Sequence, residues 1–408
     1  MHKSTAKVLQ LLRDYESRNV SFLDPDGSWP IVWKKARGVH VWDAGGKKYL
    51  DLTAAFGVAN AGHANPAVVR AGRRQMGELL HAMGDVHPHP LKAELARELS
   101  RVTFERWTGG KQCGKTIFGN SGFEAVEAGI KTAMVATGKK GVIAFAGGYH
   151  GLGYGALTAT HRDFFREPFR KQLAEFVEFV PFSCDEGTIS SVFAGKDIGA
   201  VLVEPVQGRA GIRVPSPEFL PMLRAACDRH RALLIVDEIF TGFGRTGRWF
   251  ACEHTDTIPD LICLGKALTG GFPLSACIGR AEVIDAWPAS AGEAIHTSTF
   301  LGHPVGCAMA LAQIQEIRAR KLPERSAQLG ASLLKQLSAM GSTRGLGLMA
   351  GLELKSGDEA MRIVKEMLKR GYIVLPEGEH GNVISFTPPL TITSAQLSSA
   401  VKALHALI

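Results

Sequence analysis

The sequence predicts an α/β fold in which a large domain with a mainly parallel sheet is followed by a smaller α+β domain. The main observation is a set of four apolar runs without polar alternation, which is typical of strands buried on both faces. The stretches between these runs are long enough to be helical crossovers, which parallel strands require. The four runs are Gly141–Phe145, Ala200–Val203, Leu233–Val236 and Leu261–Leu264.

Two further regions flank the predicted sheet. Residues 38–52 alternate around an Ala-Gly-Gly turn, which predicts a β-hairpin. From about residue 310 a helix leads into alternating strand and helix patterns, and we expect the last helix to be capped near Thr393 or Ser394. We therefore divide the chain into an N-terminal segment that packs with the small domain, a large domain and a small C-terminal domain, at residues 1–58, 59–308 and 309–408.

The composition is that of an ordinary globular enzyme, with 45% hydrophobic and 21% charged residues among 408. The net charge of +8 comes from scattered lysines and arginines, so we expect no nucleic-acid partner. Seven cysteines without C-x-x-C spacing indicate free thiols rather than disulfides or a metal site. No apolar stretch reaches the ~18 residues of a membrane span, and we expect a cytoplasmic protein without a membrane partner.

Each of the four buried runs ends in polar or glycine-rich residues. Tyr149 and His150 follow the first run, Glu204 follows the second, Asp237 the third and Lys266 the fourth. Because the carboxyl ends of parallel strands meet at one edge of a sheet, chemistry on such sheets collects there. The sequence therefore predicts a site that is built from these side chains.

The segment before the first buried run contains a candidate anion site. Asn120, Ser121 and Gly122 open a helical pattern, and the free N–H groups at a helix N-terminus favour an anion. An ordinary N-cap by Asn120 or Ser121 explains the same residues. This segment alone leaves both interpretations open.

Two of the strand-end residues suit a buried reactive site. Lys266 is flanked by Leu264, Gly265 and Ala267, so desolvation should lower the pKa of its amine, as Schiff-base chemistry requires. Asp237 follows four aliphatic residues, so its carboxylate should need a cationic partner. A solvated lysine and an ordinary salt bridge would also explain these two residues.

Taken together, these segments resemble the class III pyridoxal-phosphate-dependent aminotransferases, a family of fold type I, over nearly the whole chain. Their order and their spacing both match the family. The resemblance implies a seven-stranded type of sheet in the large domain and an amino-group transfer by a ping-pong mechanism through pyridoxamine phosphate. The matching segments are GVHVWDAGGKKYLDL, NSGFEA, AGGYHG, EPVQG, LLIVDEIFTGFGRTG, DLICLGKALTGG and HTSTFLGHP.

By this resemblance, Lys266 and Asp237 carry the chemistry of bound pyridoxal 5′-phosphate. Lys266 forms a Schiff base with the cofactor and, once released, moves a proton between the substrate and the cofactor. Asp237 keeps the pyridine nitrogen protonated, so that the ring accepts electrons. The hydroxyl of Ser121 and the backbone N–H groups of Gly122 and Phe123 hold the phosphate.

The resemblance also implies contacts with the cofactor ring and with a second subunit. Tyr149 stacks on one face of the ring and Ile239 packs against the other, while Glu204 lies near Asp237. Thr299 matches a residue that reaches the phosphate of the neighbouring subunit. This match implies a homodimer with active sites at the subunit interface.

Several other polar residues have no assigned chemistry. His150 either lies near the cofactor or supports its own loop. We expect His63 and His303 to be structural and Arg245 to be architectural, and we expect no metal.

Three positions depart from the pattern of family members that act on ornithine-like or 4-aminobutyrate substrates. Ser385 replaces an arginine that grips the substrate carboxylate, Arg209 replaces a glutamate that masks this arginine, and Phe240 replaces a glutamine. We therefore expect the donor to be an amine or an ω- or β-amino acid. The acceptor is expected to be a 2-oxo acid whose carboxylate binds Arg209 through a bidentate fork. Alternatively, Arg209 points to solvent or pairs with a surface acid.

Two other functions fit parts of the pattern. An aminomutase of the glutamate-1-semialdehyde type would use the same lysine without releasing an oxo acid, but the FGRTG extension after DEIFTG fits aminotransferases better. A non-catalytic binding or structural protein with this fold would be expected to have lost Lys266, which is present here.

Overall fold

The computed structural model describes residues 3–24 and 28–408, and the strands of these residues form three sheets. The strands are β1 (Trp33–Arg37), β2 (His40–Asp43), β3 (Lys48–Asp51), β4 (Gly114–Gly119), β5 (Gly141–Phe145), β6 (Val177–Val180), β7 (Ile198–Val203), β8 (Leu233–Asp237), β9 (Leu261–Leu264), β10 (Ser275–Arg280), β11 (Thr343–Leu346), β12 (Met349–Glu353), β13 (Tyr372–Ile373), β14 (Leu375–Glu377) and β15 (Val383–Phe386).

The α-helices are α1 (Lys3–Tyr15), α2 (Ala54–Gly57), α3 (Pro66–Glu78), α4 (Pro90–Val102), α5 (Phe104–Trp107), α6 (Gly122–Thr137), α7 (Tyr154–Ala159), α8 (Asp163–Arg166), α9 (Glu186–Gly195), α10 (Phe219–His230), α11 (Ala281–Ile284), α12 (Pro304–Ala319), α13 (Leu322–Ser338), α14 (Gly357–Lys369) and α15 (Ser394–His405). Short 3₁₀-helices are Glu167–Gln172, Ala251–Thr255 and Lys266–Leu268.

The large sheet has seven strands in the order β4-β10-β9-β8-β7-β5-β6. Strands β5 to β9 run parallel to one another, whereas β10 is antiparallel to both β9 and β4. The four predicted apolar runs are β5, β7, β8 and β9, and almost all of their side chains are buried. The predicted α/β fold with a mainly parallel sheet is therefore confirmed.

Helix α6 packs directly on this sheet and so positions the predicted anion site. Gly129 allows the close approach, because a Cβ at this position would lie 3.3 Å from Cγ2 of Ile235 on β8. As a result, the start of α6 at Gly122 lies beside Ile239, just after β8 ends. The sheet edge and the helix N-terminus therefore meet.

The two smaller sheets are formed by strands from the N-terminal and C-terminal parts of the chain. One has the order β1-β2-β3-β13 and the other β11-β12-β15-β14. The predicted hairpin is formed by β2 and β3, and β3 pairs in parallel with β13, which joins the N-terminal segment to the C-terminal part. The predicted cap of the last helix is confirmed at Thr393, whose Oγ1 accepts from the Gln396 N–H at 3.2 Å. The domain limits at residues 58 and 308 stay a prediction.

Three polar residues outside the predicted chemistry stabilise the fold, as expected from the sequence. The buried Arg245 donates to the carbonyl oxygens of Leu348 at 2.8 Å and Pro388 at 2.6 Å. His63 lies 2.7 Å from the Asp51 carboxylate, and the His303 ring accepts from a backbone N–H at the start of α12.

Among residues 3–24 and 28–408, no helix has both the length and the apolar character needed to cross a membrane. All seven cysteines are free thiols, and five of them are buried.

Candidate active site

A cavity of about 570 Å³ lies where β5, β7, β8 and β9 end. It brings together all of the strand-end residues that the sequence predicts, with the start of α6, residues of the loops that follow the strands, Phe56 from α2 and Glu377 from β14. Its walls are formed by Phe56, Gly122, Phe123, Tyr149, His150, Gly151, Leu152, Glu204, Arg209, Asp237, Ile239, Phe240, Lys266 and Glu377.

Asp237 is the last residue of β8 and is held by two hydrogen bonds. One carboxylate oxygen lies 2.8 Å from Nδ1 of His150, and the other accepts from the Ile239 N–H at 3.1 Å. Burial alone would lower the pKa of His150, but the hydrogen bond and the charge of Asp237 outweigh burial and raise it. Of the two roles left open for His150, the structure therefore supports the one at the site, because the ring orients the Asp237 carboxylate.

Lys266 follows β9 after Gly265 and lines the cavity. Its φ of +40° lies in the left-handed region, which costs a non-glycine residue about 1–3 kcal/mol and recurs at functional sites. Desolvation lowers the pKa of the amine, and the nearby carboxylates of Asp237 and Glu204 oppose this effect. A lysine with a lowered pKa is suited to nucleophilic attack on a carbonyl and to proton transfer.

Glu204 and Tyr149 form a second polar contact next to Asp237. The Tyr149 N–H donates to the Glu204 carboxylate at 3.3 Å. Burial raises the pKa of Glu204 to about 7, against the opposing charge of His150, and burial also raises the pKa of Tyr149. The carboxylates of Glu204 and Asp237 thus share one buried polar cluster with His150.

The start of α6 fits a phosphate group. The first N–H groups of a helix have no partner within the helix. Ser121 and Glu124 form a capping box at the start of α6, but the contact of the buried Ser121 hydroxyl with the Glu124 N–H is too loose for a hydrogen bond, and the hydroxyl has no other partner among the described residues. A Cβ at Gly122 would lie 3.1 Å from Ile239, so only glycine leaves this cradle undisturbed. An anion here would satisfy the orphaned hydroxyl and the helix N–H groups together. The residues present therefore fit a phosphate-bearing cofactor with a lysine and an aspartate at its other end.

Phe240 lies in a slot between two glycines beside Lys266. A Cβ would lie 2.5 Å from the Phe240 ring at Gly57 and 2.3 Å from it at Gly208. The Lys266 Nζ lies 4.7 Å from the centre of this ring. Phe56 reaches the cavity from α2, where Ala54 to Gly57 all have positive φ values between 47° and 75°. The aromatic walls add apolar surface on one side of the amine.

Arg209 pairs with an acid inside the cavity. Its Nε lies 3.8 Å from Oε2 of Glu377 on β14, and its guanidinium carbon lies 5.4 Å from the centre of the Tyr149 ring. Glu377 is buried, so the acid that pairs with Arg209 is not a surface acid, although 37% of the Arg209 side chain is exposed to solvent. Burial raises the pKa of Glu377 to about 7, with Arg209 as the strongest opposing charge.

Two cavity residues, Glu377 and Phe56, are not among the site residues predicted from the sequence. Glu377 follows the apolar run YIVLP, so it carries the same signal, a polar residue at the end of a strand, that identified Asp237. Phe56 has no comparable signal, because only the left-handed turn of α2 directs it to the site.

Three of the predicted site residues, Ser121, Thr299 and Ser385, lie outside the cavity walls. Ser121 directly precedes the wall residue Gly122. Thr299 is exposed on a loop before α12. Ser385 is buried on β15, and its hydroxyl donates to the Leu375 carbonyl at 3.2 Å. No cluster of three or more histidine, cysteine or acidic side chains suited to a metal ion is found in the described part of the chain.

Residues 23–408 match the family model of the class-III aminotransferases. The chain is 39% identical to the acetylornithine aminotransferase of Methanosarcina mazei, covering 93% of this chain and 92% of that protein. It is 36% identical to the 5-aminovalerate aminotransferase of Pseudomonas aeruginosa, and the match covers 91% of this chain and 92% of that protein. It is 35% identical to the putrescine aminotransferase of Pectobacterium atrosepticum, and the match covers 97% of this chain and 87% of that protein.

The fold is also similar to that of a solved ornithine aminotransferase from Toxoplasma gondii. The TM-score is 0.89 at 28% identity, covering 98% of this chain and 94% of that one, and that structure has partial occupancy of pyridoxal 5′-phosphate at its active site. The cavity described above has a lysine, an aspartate and a free helix N-terminus, all of which fit this cofactor. The chain therefore belongs to the class-III aminotransferases and is a pyridoxal-5′-phosphate-dependent enzyme.

Proposed function

We propose that this aminotransferase moves an amino group from an amine or an ω- or β-amino acid to a 2-oxo acid, by a ping-pong mechanism. The observation that carries this proposal is the position of Arg209, a cation in the same cavity as Lys266 with only a loose acidic partner. Two relatives whose names specify putrescine and 5-aminovalerate support a donor whose reacting amine is far from any carboxylate.

Lys266 and Asp237 would provide the catalytic groups. Pyridoxal 5′-phosphate, when bound, supplies a carbonyl that takes up the amino group and a ring that withdraws electrons from the reacting carbon. The Lys266 amine would hold the cofactor and then carry the proton that leaves this carbon. The Asp237 carboxylate, oriented by His150 at 2.8 Å, would hold a proton on the ring nitrogen.

The other residues in and beside the cavity would bind the cofactor and orient its ring. Ser121, Gly122 and Phe123 would hold the phosphate at the start of α6, where the Ser121 hydroxyl has no other hydrogen-bond partner in the described ranges. Tyr149 and Ile239 would pack against the ring. Glu204 would support the polar cluster around Asp237.

Phe240 would exclude water beside Lys266, since its ring lies 4.7 Å from the Lys266 Nζ. Ser385 contributes no charge on β15, where its hydroxyl is bound to a backbone carbonyl. A donor without a carboxylate next to its reacting carbon therefore suits this cavity.

We expect Arg209→Ala to raise the KM for a 2-oxo acid by about tenfold or more, the effect of losing one charged contact. The KM for an amine donor should change little, because such a donor brings no carboxylate to Arg209. Steady-state kinetics with each substrate varied in turn measure both values.

Arg229→Ala is the matched control, since Arg229 pairs with Glu186 at 2.7 Å on the surface. This variant should retain both KM values. An unchanged KM for the 2-oxo acid in Arg209→Ala would rule out Arg209 as the acceptor site.

The active enzyme is, in this proposal, a cytoplasmic homodimer with active sites at the subunit interface. Thr299 is exposed near the large apolar side chains of Ile295 and Phe300, which are 72% and 54% exposed. Apolar surface of this kind favours association with a second subunit. Thr299 would then act on the phosphate of the partner's site rather than on its own.

A further inference from the structure

Glu377 is fixed in position by its backbone. It is the last residue of β14 and is paired with Val383 of β15. The N–H of the next residue, Gly378, donates to the carbonyl oxygen of Arg209 at 3.1 Å. The Gly378 carbonyl in turn accepts from the guanidinium of Arg162. Glu377 therefore cannot leave the cavity by a shift of its strand without breaking these bonds.

Three cations face the Glu377 carboxylate from different elements. Arg209 belongs to the loop after β7, Arg162 lies at the N-cap position of α8 and Lys266 follows β9. Glu379, an acid in the turn after β14, acts on Arg162 together with Glu377. Even with these cations, burial keeps the pKa of Glu377 at about 7. The ionised and the neutral form of Glu377 are therefore populated to a similar extent near neutral pH.

The pairing of Arg209 with Glu377 is incomplete. The separation of 3.8 Å between Nε and Oε2 is that of an ion pair rather than of a hydrogen bond. The Arg209 Nε is buried and has no hydrogen-bond acceptor within residues 3–24 and 28–408. A substrate carboxylate that binds the guanidinium at hydrogen-bond distance would satisfy this donor, which Glu377 does not.

A carboxylate bound to Arg209 would change the charge balance at Glu377. Two carboxylates at one cation in a buried site repel each other, and such repulsion raises the pKa of at least one of them. The substrate carboxylate would be fully ionised and would hold the arginine. Glu377, whose backbone is held in place, would be the group that becomes neutral.

We propose that Glu377 is an exchangeable counter-ion of Arg209 that takes up one proton from solvent when the acceptor carboxylate binds. The guanidinium then exchanges one anionic partner for another, while the Glu377 carboxylate becomes a carboxylic acid and stays in place. Glu377 would thereby set the pH dependence of acceptor affinity. This inference rests on the proposed role of Arg209 in binding the acceptor carboxylate.

The sign of the pH dependence follows from linkage. The complex holds one more proton than the free enzyme at a pH above 7, so acceptor affinity falls as the pH rises. Well above pH 7 the loss approaches about tenfold per pH unit, and below pH 7 it disappears because Glu377 is already neutral.

Isothermal titration calorimetry with glutarate tests this proposal, since this dicarboxylate offers a carboxylate without an amino or oxo group that could react. The cofactor-loaded enzyme is titrated at pH 8 in two buffers of different ionisation enthalpy, which gives the number of protons taken up. We expect uptake of about one proton in the unmodified enzyme and close to none in Glu377→Gln. Glu186→Gln, which changes a surface acid paired with Arg229, should retain the full uptake.

Equal proton uptake in the unmodified enzyme and in Glu377→Gln, or no uptake in either, would overturn the role of Glu377. If Arg209→Ala binds glutarate as tightly as the unmodified enzyme, the proposed acceptor site itself is wrong. Should Glu377→Gln fold poorly, infrared difference spectra of the unmodified enzyme decide the question. A new band of a protonated carboxyl group on glutarate binding supports the proposal, and its absence contradicts it.

Discussion

Lys266→Ala will lower kcat by about 10³-fold or more, because no other amine in the cavity can hold the cofactor and carry the proton. Lys266 is the one lysine among the cavity walls of the described chain, and it follows β9 with its amine beside Phe240. The visible absorbance of a cofactor joined covalently to the enzyme should disappear in the same variant. Steady-state kinetics and an absorbance spectrum of the purified protein measure the two effects.

Lys196→Ala is a suitable control for this variant. Lys196 is a surface residue that pairs with Glu178 at 3.1 Å, and its loss should change neither kcat nor the spectrum. Lys266→Ala with an unchanged spectrum and with kcat within tenfold of the original would exclude Lys266 as the residue that holds the cofactor.

Asp237→Asn will lower kcat by about 10²- to 10³-fold, the loss typical of removing one preorganised electrostatic contact. The amide has nearly the same shape as the carboxylate, but it has no charge to stabilise a proton on the ring nitrogen. The pKa of His150 should fall as well, because the hydrogen bond and the charge of Asp237 are what raise it. Kinetics and an NMR titration of His150 measure these changes.

The cofactor itself should remain bound in Asp237→Asn, since the phosphate cradle and Lys266 are intact. Asp285→Asn is the control, because Asp285 pairs with Lys115 at 2.6 Å on the surface. If Asp237→Asn retained full kcat, the proposed contact of Asp237 with the ring nitrogen would be wrong.

The sheet and the core of the site could be predicted from the sequence because their signals are local. The apolar strands β5, β7, β8 and β9 have no polar alternation, and each ends in a residue that the parallel topology must bring to the same edge. Asp237 and Lys266 come together for this reason, although β8 and β9 are separated by a long connection.

The remaining contacts depend on tertiary structure and have no local signal. The hydrogen bond of His150 with Asp237 joins residues that are 87 positions apart. The pair of Arg209 and Glu377 forms only because β14 packs against the loop after β7, held by the hydrogen bond from the Gly378 N–H. A strand-end pattern identifies a charged residue, but it does not identify the partner that neutralises it.

Ser385 illustrates the same limit. The sequence shows that an expected arginine is missing there, and it does not show what replaces its charge. In the structure, the Ser385 hydroxyl is bound to the Leu375 carbonyl, and the acid on the adjacent strand, Glu377, faces the cavity. The arrangement of charged side chains in the substrate site therefore cannot be predicted from any single position of the sequence.

The substrate class is tested most directly by a single turnover of the cofactor-loaded enzyme with separate amino donors. The donors are monoamines, diamines, and α-, β- and ω-amino acids, and the loss of the visible absorbance of the bound cofactor is followed in time. Amines and ω- or β-amino acids should react at least about tenfold faster than α-amino acids with no second amine. A reaction with α-amino acids alone would contradict the proposed function of the cavity around Arg209, Phe240 and Ser385.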